Sequence, residues 1–419
     1  MNYFNSEYFT YNNNELFCED ISLKDILKET GTPVYIYSKK YFIDRFNELN
    51  SAFKEIDHTI FYAVKSNFNL SVIKIFTDMG SGVDVNSEGE LLRALKVGVS
   101  NDKIIFSGVG KTPAEIKLAI ENDLLMIKAE SEEELILINE IAFSLNMTAR
   151  VGIRVNPDVD PKTHPYISTG LAENKFGVDV ASAIKLYTQK DRFKNIEYTG
   201  IDMHIGSQIT TVEPFVSAVE KLSKVFFMLK SEGINLKHFD LGGGIGVEYH
   251  NEKTFSAHEF AEALIPILKK LDCKVFLEPG RYLSANAGIL VAQVLYTKVN
   301  HKKKFIIVDA AMNDLIRPSI YGAYHHIQPV QINNNSKDIT ADVVGPVCES
   351  GDFLAKDRNI QDSKRGDYLA VMSAGAYGMA MASNYNARRR PPEILVEGFN
   401  FKVIKNRESF EHLFFDENI

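Results

Sequence analysis

The sequence predicts an N-terminal (β/α)₈ barrel followed by a C-terminal antiparallel β-barrel or sandwich domain. Eight short β-type runs recur over roughly 220 residues, a count typical of a closed barrel. Several are separated by amphipathic stretches such as SEGELLRALKVG and TPAEIKLAIEN, whose apolar residues recur at helical spacing. After about residue 290 the helical pattern stops and β-rich segments follow. The 419 residues are enough for two or three domains.

The eight runs define the predicted barrel, which we place at residues 35–290. They are Ile60–Val64, Gly82–Val85, Lys103–Phe106, Leu124–Ile127, Ala149–Val155, Gly200–His204, His238–Leu241 and Lys274–Leu277. A doubly wound open sheet uses the same alternation of strand and helix, but a count of eight favours the barrel. The second domain is predicted at residues 1–34 and 291–419. The strand-like run Pro33–Ser38 fits either domain.

The C-terminal domain is predicted from segments that lack helical periodicity and are joined by turn-rich connections. These segments are ILVAQVLYTKV, KKFIIVDA, DITADVVG, DYLAVMS and EILVEGFNFKVI.

The charge balance argues against a polyanionic partner. Lys and Arg number 47 and Asp and Glu number 55, which gives a formal net charge of −8. Nucleic acid and anionic membrane surfaces are therefore disfavoured. The basic clusters His301–Lys304 and Arg388–Arg390 are interpreted as solvated turns or structural salt-bridge sites.

The cysteines and the N-terminal sequence indicate a reducing, cytoplasmic location. Cys18, Cys273 and Cys348 show no CxxC spacing, so neither a disulfide framework nor a metal site is expected. The N-terminus lacks the basic and apolar regions of a signal peptide, and no run of about 18 apolar residues predicts a membrane span.

Polar residues follow the barrel strands at the ends where active sites form in this fold. Because these ends meet at one face, residues far apart in sequence are expected to converge there. The candidates are Lys65, Asp84, Arg154, His204, Glu278 and Arg281, together with the glycine loop Leu241–Gly246.

Four of these candidates have an ordinary alternative. Lys65 suits Schiff-base chemistry in a partly desolvated mouth, or is a surface lysine. The glycine loop suits phosphate binding after the seventh strand, or is a tight turn or dinucleotide loop. Glu278 suits protonation of a pyridine nitrogen, or pairs with Arg281. His204 suits stacking on a flat ring, or is a core histidine. The combination is far more specific than any single residue.

Long motifs carry a clear resemblance over nearly the whole chain. They are FYAVKSN, FSGVGKT, VGIRVNPDVDPKTHPYISTGLAENKFGV, HIGSQI, DLGGGIGVEY, EPGRYLSANAG, DAAMNDLIRPSIYGAYHHI, GPVCESGD and SAGAYG. In these motifs the chain resembles diaminopimelate decarboxylases, which belong to the fold type III enzymes dependent on pyridoxal 5'-phosphate (PLP). Phe68 is a minor departure, because relatives often have proline after KxN.

The resemblance implies a Schiff base between Lys65 and PLP, and Cys348 as a catalytic proton donor. It implies PLP contacts from Lys65, Asp84, Arg154, His204, Ser207, Gly242, Gly243, Gly244, Glu278, Pro279, Gly280, Arg281 and Tyr377. It implies substrate contacts from Arg281, Arg317, Tyr321, Glu349 and Tyr377.

The implied activity is decarboxylation of meso-2,6-diaminopimelate to L-lysine and CO₂, the last step of lysine biosynthesis. The implied assembly is a homodimer with shared active sites, in which Cys348 and Glu349 reach the partner's barrel mouth. The alternatives are decarboxylases of ornithine, arginine or carboxynorspermidine, an alanine racemase, a non-catalytic PLP-binding protein and a nucleotide-binding α/β protein. Arg281 and Arg317 argue against substrates such as ornithine, which have no second carboxylate and would leave a buried arginine unpaired.

Overall fold

The computed structural model describes residues 3–160 and 174–418, which divide into two compact units. The β unit comprises Met1–Asp44, Glu248–Glu252 and Leu283–Ile419. The barrel unit comprises Arg45–Val247 and Lys253–Tyr282. Residues 161–173, within the long motif that begins at Val151, lie outside the described residues.

The N-terminal segment opens the β unit. Its elements are strands β1 (Phe9–Asn12), β2 (Glu15–Cys18) and β3 (Ile21–Ser22), helix α1 (Leu23–Thr30), strand β4 (Val34–Ser38) and helix α2 (Lys39–Ala52). Strands β1–β3 form an antiparallel sheet. Helix α1 starts where the Ser22 hydroxyl accepts a hydrogen bond from the Lys24 N–H, and it ends at Gly31, whose φ is 62°.

The barrel unit contains the predicted closed barrel of eight parallel strands. The strands are β5 (His58–Ala63), β6 (Gly82–Val85), β7 (Ile104–Phe106), β8 (Met126–Ala129), β9 (Ala149–Arg154), β10 (Ile196–Asp202), β11 (His238–Asp240) and β12 (Lys274–Leu277). Strand β12 pairs with β5 and closes the ring. Every predicted run overlaps one of these strands, so the prediction of the barrel is confirmed.

Helices follow the strands, and most of them begin at a side-chain cap. They are α3 (Leu70–Asp78), α4 (Glu88–Lys96), α5 (Pro113–Glu121), α6 (Glu132–Ser144), α7 (Val180–Thr188), α8 (Glu213–Ser231), α9 (Ala257–Leu268) and α10 (Arg281–Ser284). Thr112 with Glu115, and Ser256 with Glu259, form reciprocal capping boxes at α5 and α9. Inside the barrel, Phe61 packs against Phe276 with ring centroids 4.7 Å apart.

The C-terminal strands of the β unit form most of a nine-stranded sheet. The elements are β13 (Gly288–Asn300), β14 (Lys303–Val308), α11 (Arg317–Tyr321), β15 (Ile327–Pro329), β16 (Asp338–Val344), β17 (Phe353–Gln361), β18 (Tyr368–Val371), β19 (Glu393–Glu397) and β20 (Asn400–Lys405). Most pairs are antiparallel, as predicted, but β4 with β19 and β14 with β16 are parallel. The sheet is therefore mixed.

Strand β4 decides the open N-terminal assignment. It pairs with β13 and with β19, so it belongs to the β unit. The predicted barrel boundaries at residues 35 and 290 shift accordingly, because 35–44 and 283–290 belong to the β unit. The hydrogen bonds of β4 to β13 and β19 place it in the β unit. The apolar pattern of Pro33–Ser38 alone could not show which strands it would pair with.

The two basic clusters lie in ion pairs, in agreement with their interpretation as structural sites. Lys303 lies 2.9 Å from a carboxylate oxygen of Asp342, and Arg390 lies 2.7 Å from one of Glu408. Among residues 3–160 and 174–418, no helix has both the length and the apolar character needed to cross a membrane.

Candidate active site

Lys65 lies at the barrel mouth, directly after the first strand. It sits in a short 3-10 turn, Val64–Ser66, and its side chain keeps 40% of its surface exposed. Its Nζ lies 3.6 Å from Oδ2 of Asp84, a fully buried residue on β6. The other Asp84 oxygen, Oδ1, is buried and has no hydrogen-bond partner among the described residues. The amine is thus accessible and faces a buried carboxylate.

Pro279 and Gly280 close the ring next to this turn. The Pro279 carbonyl accepts a hydrogen bond from the Ala63 N–H at 3.2 Å. A Cβ on Gly280 would lie 3.1 Å from both Ala63 Cβ and Ser66 Cβ. Pro279 and Gly280 therefore pack against the backbone that carries Lys65. That they also contact PLP remains a prediction.

The glycine loop follows the seventh barrel strand, as predicted. A Cβ on Gly242, Gly243 or Gly244 would collide with a backbone carbonyl oxygen, those of Met203, Glu278 and Gly206 respectively. Gly242 and Gly244 also have positive φ, 65° and 113°. Only glycine fits here, so the loop packs directly against the backbone of the neighbouring segments.

Ser207 lies on the neighbouring loop and contacts Arg281. The Arg281 NH2 group donates to Ser207 Oγ at 3.0 Å, and Arg281 is buried. The Ser207 loop is tied to the glycine loop, because the Ile209 N–H donates to the Gly244 carbonyl at 3.0 Å. The two loops therefore form one hydrogen-bonded unit with an arginine and a hydroxyl at its edge, a suitable donor set for a phosphate.

His204 is oriented by the same loop. Its Nδ1 accepts a hydrogen bond from the Gly243 N–H at 3.0 Å, and Arg154 donates to its backbone carbonyl at 3.3 Å. His204 is half-buried, and burial, followed by the cations of Arg154 and Lys65, holds the pKa of its imidazole well below the ordinary value. His204 is therefore a neutral imidazole with a fixed ring plane.

A buried ion network lies beneath these residues. The Lys128 Nζ lies 2.8 Å from Asp202 Oδ1, 2.8 Å from Asp240 Oδ2 and in contact with Glu278 Oε1. All four side chains are buried. The three carboxylates approach closely enough to bind a metal, but the cation among them is the Lys128 ammonium. Glu278 thus pairs with Lys128, a partner that the sequence analysis did not consider.

The network has more carboxylates than ammonium groups, which shifts its pKa values. Burial, and then Asp240, raise the pKa of Glu278 well above its ordinary value, while Lys128 opposes the shift. Burial raises the pKa of Asp202 to about 6. Burial lowers the pKa of Lys128, but the carboxylates outweigh it and the pKa is well above its ordinary value. The network therefore favours an additional proton or cation beside Glu278.

Sequence reasoning missed Lys128, Asp202 and Asp240, although a signal for them exists. Each lies in or next to a predicted strand run, where a charged residue in a buried position needs a partner. Three such residues on one barrel could have been expected to pair.

The β unit holds the other predicted residues. Arg317, the first residue of α11, is buried and donates from NH1 to His325 Nε2 at 2.8 Å. Tyr321 ends the same helix, and Tyr377 adopts a φ of 56° in the SAGAYG loop.

Cys348 and Glu349 lie side by side in the β unit. Cys348 is exposed. Its backbone N–H donates to Asn386 Oδ1 at 2.9 Å. Glu349 is hydrogen-bonded to Tyr385 and thereby raises the pKa of that phenol. The cysteine and its neighbouring carboxylate are therefore accessible on the described chain.

Residues 39–285 match the family model of the pyridoxal-binding domain of pyridoxal-dependent decarboxylases. Over 407 residues the chain is 48% identical to a diaminopimelate decarboxylase of Aquifex aeolicus, covering 97% of this chain and 96% of that protein. The chain belongs to the diaminopimelate decarboxylase family.

Solved structures in this family are closely similar. A diaminopimelate decarboxylase from Helicobacter pylori complexed with L-lysine has a TM-score of 0.90 and 42% identity, covering 94% of this chain and 98% of that one. One from M. jannaschii in co-complex with L-lysine has a TM-score of 0.94 and 36% identity, covering 99% and 98%.

PLP is the cofactor of this family, and the residues of the barrel mouth fit it. Lys65 supplies an accessible amine, and the glycine loop, where any Cβ would meet a backbone carbonyl, is hydrogen-bonded to the loop of Ser207. Among the described residues, Asp84 Oδ1 is buried and has no hydrogen-bond partner. The carboxylate of Glu278 suits a pyridine nitrogen. These side chains thus suit the three reactive parts of PLP: the Lys65 amine suits the aldehyde, Ser207 and Arg281 suit the phosphate, and Glu278 suits the pyridine nitrogen.

Proposed function

We propose that this protein is a PLP-dependent carboxy-lyase that converts meso-2,6-diaminopimelate to L-lysine and CO₂ as the last step of lysine biosynthesis. The observation that carries the proposal is the near full-length match to diaminopimelate decarboxylases, joined to a barrel mouth with the matching donor set. The relatives described above are diaminopimelate decarboxylases, and the alternative activities on ornithine, arginine and carboxynorspermidine are tested by the product analysis below.

PLP, when bound, supplies an electron sink for the electron pair that the departing CO₂ leaves behind. Lys65 would hold the cofactor covalently and yield to the substrate amine. The glycine loop, Ser207 and Arg281 would hold the phosphate. His204 would hold the ring by its face, since a neutral imidazole packs against an aromatic ring without a desolvated charge.

Glu278 would keep the ring nitrogen protonated. Its carboxylate contacts the Lys128 ammonium, but that one ammonium faces three carboxylates. A pyridinium proton beside Glu278 would therefore be electrostatically favoured.

Glu278→Gln is expected to retain PLP but to lower turnover at least about tenfold, a barrier increase of about 1.4 kcal/mol. The amide leaves Lys128 with two carboxylates, so the fold should persist, while the ring nitrogen loses its anionic partner. Turnover and PLP content are measured together, with Glu259→Gln at the exposed start of α9 as control. Unchanged turnover with full PLP content would assign Glu278 to the Lys128 ion pair alone.

Substrate selection is a problem of charge. The end of diaminopimelate remote from the reaction carries an ammonium and a carboxylate. An arginine side chain binds a carboxylate with two parallel hydrogen bonds, so we assign this end to Arg281 and Arg317, with Tyr321, Glu349 and Tyr377 as further contacts. Lysine and ornithine, as substrates, would present only an ammonium there and leave an arginine unpaired.

Arg317→Met is expected to damage discrimination between diaminopimelate and lysine more than it damages PLP binding. Methionine keeps much of the buried apolar volume but cannot bind a carboxylate. The kcat/KM ratio for the two substrates and the PLP content are compared in the wild type and the variant. A loss of PLP with intact discrimination would make Arg317 a cofactor residue instead.

The proposed assembly is a homodimer in which Cys348 and Glu349 of one subunit serve the Lys65 site of the other. The accessibility of Cys348 supports this arrangement, because a side chain that reaches a partner's site must lie at the surface of its own subunit. The cytoplasmic location also stays a prediction.

Product analysis tests the proposed function. The purified holoenzyme is incubated with meso-, LL- and DD-diaminopimelate, lysine and ornithine, and the products are resolved by chromatography. Lysine and CO₂ from the meso isomer are expected, with little reaction of lysine or ornithine. Efficient formation of a diamine from ornithine or lysine would replace the proposal by one of its alternatives.

A further inference from the structure

The guanidinium of Arg317 contacts His325 and Tyr249 within the β unit. Its NH1 donates to His325 Nε2 at 2.8 Å, and its central carbon lies 4.6 Å from the centroid of the Tyr249 ring. The His325 ring meets the Tyr249 ring edge-on, with centroids 5.5 Å apart. A hydrogen bond in one direction and an aromatic ring in another set the plane of the guanidinium.

The hydrogen bonds of His325 assign its tautomer. Nδ1 lies 2.9 Å from the carbonyl oxygen of Met372, which can only accept, so Nδ1 carries the proton. The Arg317 guanidinium can only donate, so Nε2 must be the unprotonated acceptor. His325 is fully buried and is therefore a neutral imidazole with its acceptor directed at Arg317.

The backbone around His325 is held by the sheet. Arg358 donates to the His325 carbonyl at 2.7 Å, and the Met372 N–H donates to the carbonyl of His326 at 2.8 Å. These bonds continue the pairing of β15 with β18, in which Ile327 lies opposite Val371. The position of the imidazole is thus determined by two strands.

We infer that His325 is a positioning residue that presents Arg317 to the carboxylate at the non-reacting end of the substrate. A two-bond arginine–carboxylate contact requires a fixed guanidinium plane, and His325 supplies the acceptor that fixes it. The inference rests on the proposed function, because that function assigns a carboxylate ligand to Arg317. His325 itself need not touch the substrate.

Two matched variants separate this role from a general role in folding. In His325→Asn the amide nitrogen can take the place of Nδ1 and keep the bond to Met372, but the side chain is too short to reach Arg317. In His325→Gln the amide oxygen can take the place of Nε2 and accept from Arg317. His326→Gln, on the adjacent residue, is the control for disturbing this segment.

The measurement is equilibrium binding to the PLP-loaded protein by calorimetry. L-lysine is the first probe, because the product retains the amino acid head of the non-reacting end. Cadaverine is the second probe, because it has the carbon chain and both amines of L-lysine but no carboxylate. His325→Asn is expected to weaken L-lysine binding about tenfold and to leave cadaverine binding unchanged. His325→Gln should recover most of the lost affinity.

A double-mutant cycle with Arg317→Met completes the test. Once Arg317 is gone, His325→Asn should cause no further loss of L-lysine affinity. Additive losses, equal loss in the Asn and Gln variants, or equal loss for both ligands would overturn the inference. Should the Asn variant unfold, His325→Phe, which keeps a ring beside Tyr249, replaces it in the cycle.

The proposed function and the inference fail in different ways. If the wild-type enzyme does not decarboxylate diaminopimelate, the proposed function is refuted. If the wild type is active but His325→Asn binds L-lysine as tightly as the wild type does, only the inference is refuted.

Discussion

Lys65→Ala is expected to abolish both lysine formation and the visible absorbance of enzyme-bound PLP. An amine is required to attach the cofactor, and Lys65 is the lysine that lies accessible at the end of the first barrel strand beside Asp84. Lys128 cannot replace it, because its Nζ is buried among three carboxylates. The result is measured by absorbance spectroscopy and by lysine production on the same purified sample.

The control for this prediction is Lys103→Ala, which removes an exposed lysine just before β7. It should keep both the absorbance and the activity. Near-normal turnover in Lys65→Ala would refute the assignment of Lys65. Loss of activity in Lys65→Ala together with unfolding would be recognised by circular dichroism, and Lys65→Arg, which keeps the cation beside Asp84, would then carry the test.

The barrel was predictable because parallel strands buried on both faces read as short apolar runs with helices between them. Glu278 and the glycine loop were predictable for the same reason, since each directly follows a strand. The position of β4 was not, because strand pairing depends on residues far away along the chain. Strand β17 was missed because Lys356, Asp357 and Arg358 interrupt its apolar pattern.

The electrostatic surroundings of the site were less predictable than its position. The sequence places Glu278 at the mouth, but its pKa depends on Lys128 and Asp240, which approach it from two other strands. The orientation of Arg317 similarly depends on His325, and the ring of His325 is held in turn by the backbone carbonyl of Met372, the residue after β18. Such second partners are set by three-dimensional packing and leave only a weak pattern in the sequence.

Cys348→Ser is expected to lower turnover strongly while leaving PLP content and substrate affinity nearly unchanged. A hydroxyl is far less acidic than a thiol and is a poorer proton donor at neutral pH. Loss of an interaction made mainly in the transition state lowers kcat without raising KM. Steady-state kinetics and PLP content are measured together. Cys273→Ser is the control, since burial raises the pKa of Cys273 to about 12 and makes it unreactive.

Mixed dimers extend this prediction to the proposed assembly. Lys65→Ala and Cys348→Ser subunits, each inactive alone, are mixed in equal amounts, and exchange is verified by differently tagged chains. If Lys65 of one subunit works with Cys348 of its partner, one site of each mixed dimer carries neither lesion. Random exchange then restores about a quarter of the wild-type activity, because about half the dimers are mixed and each has one intact site. No recovery after verified exchange would mean that Lys65 and Cys348 act within one chain, or that Cys348 donates no proton.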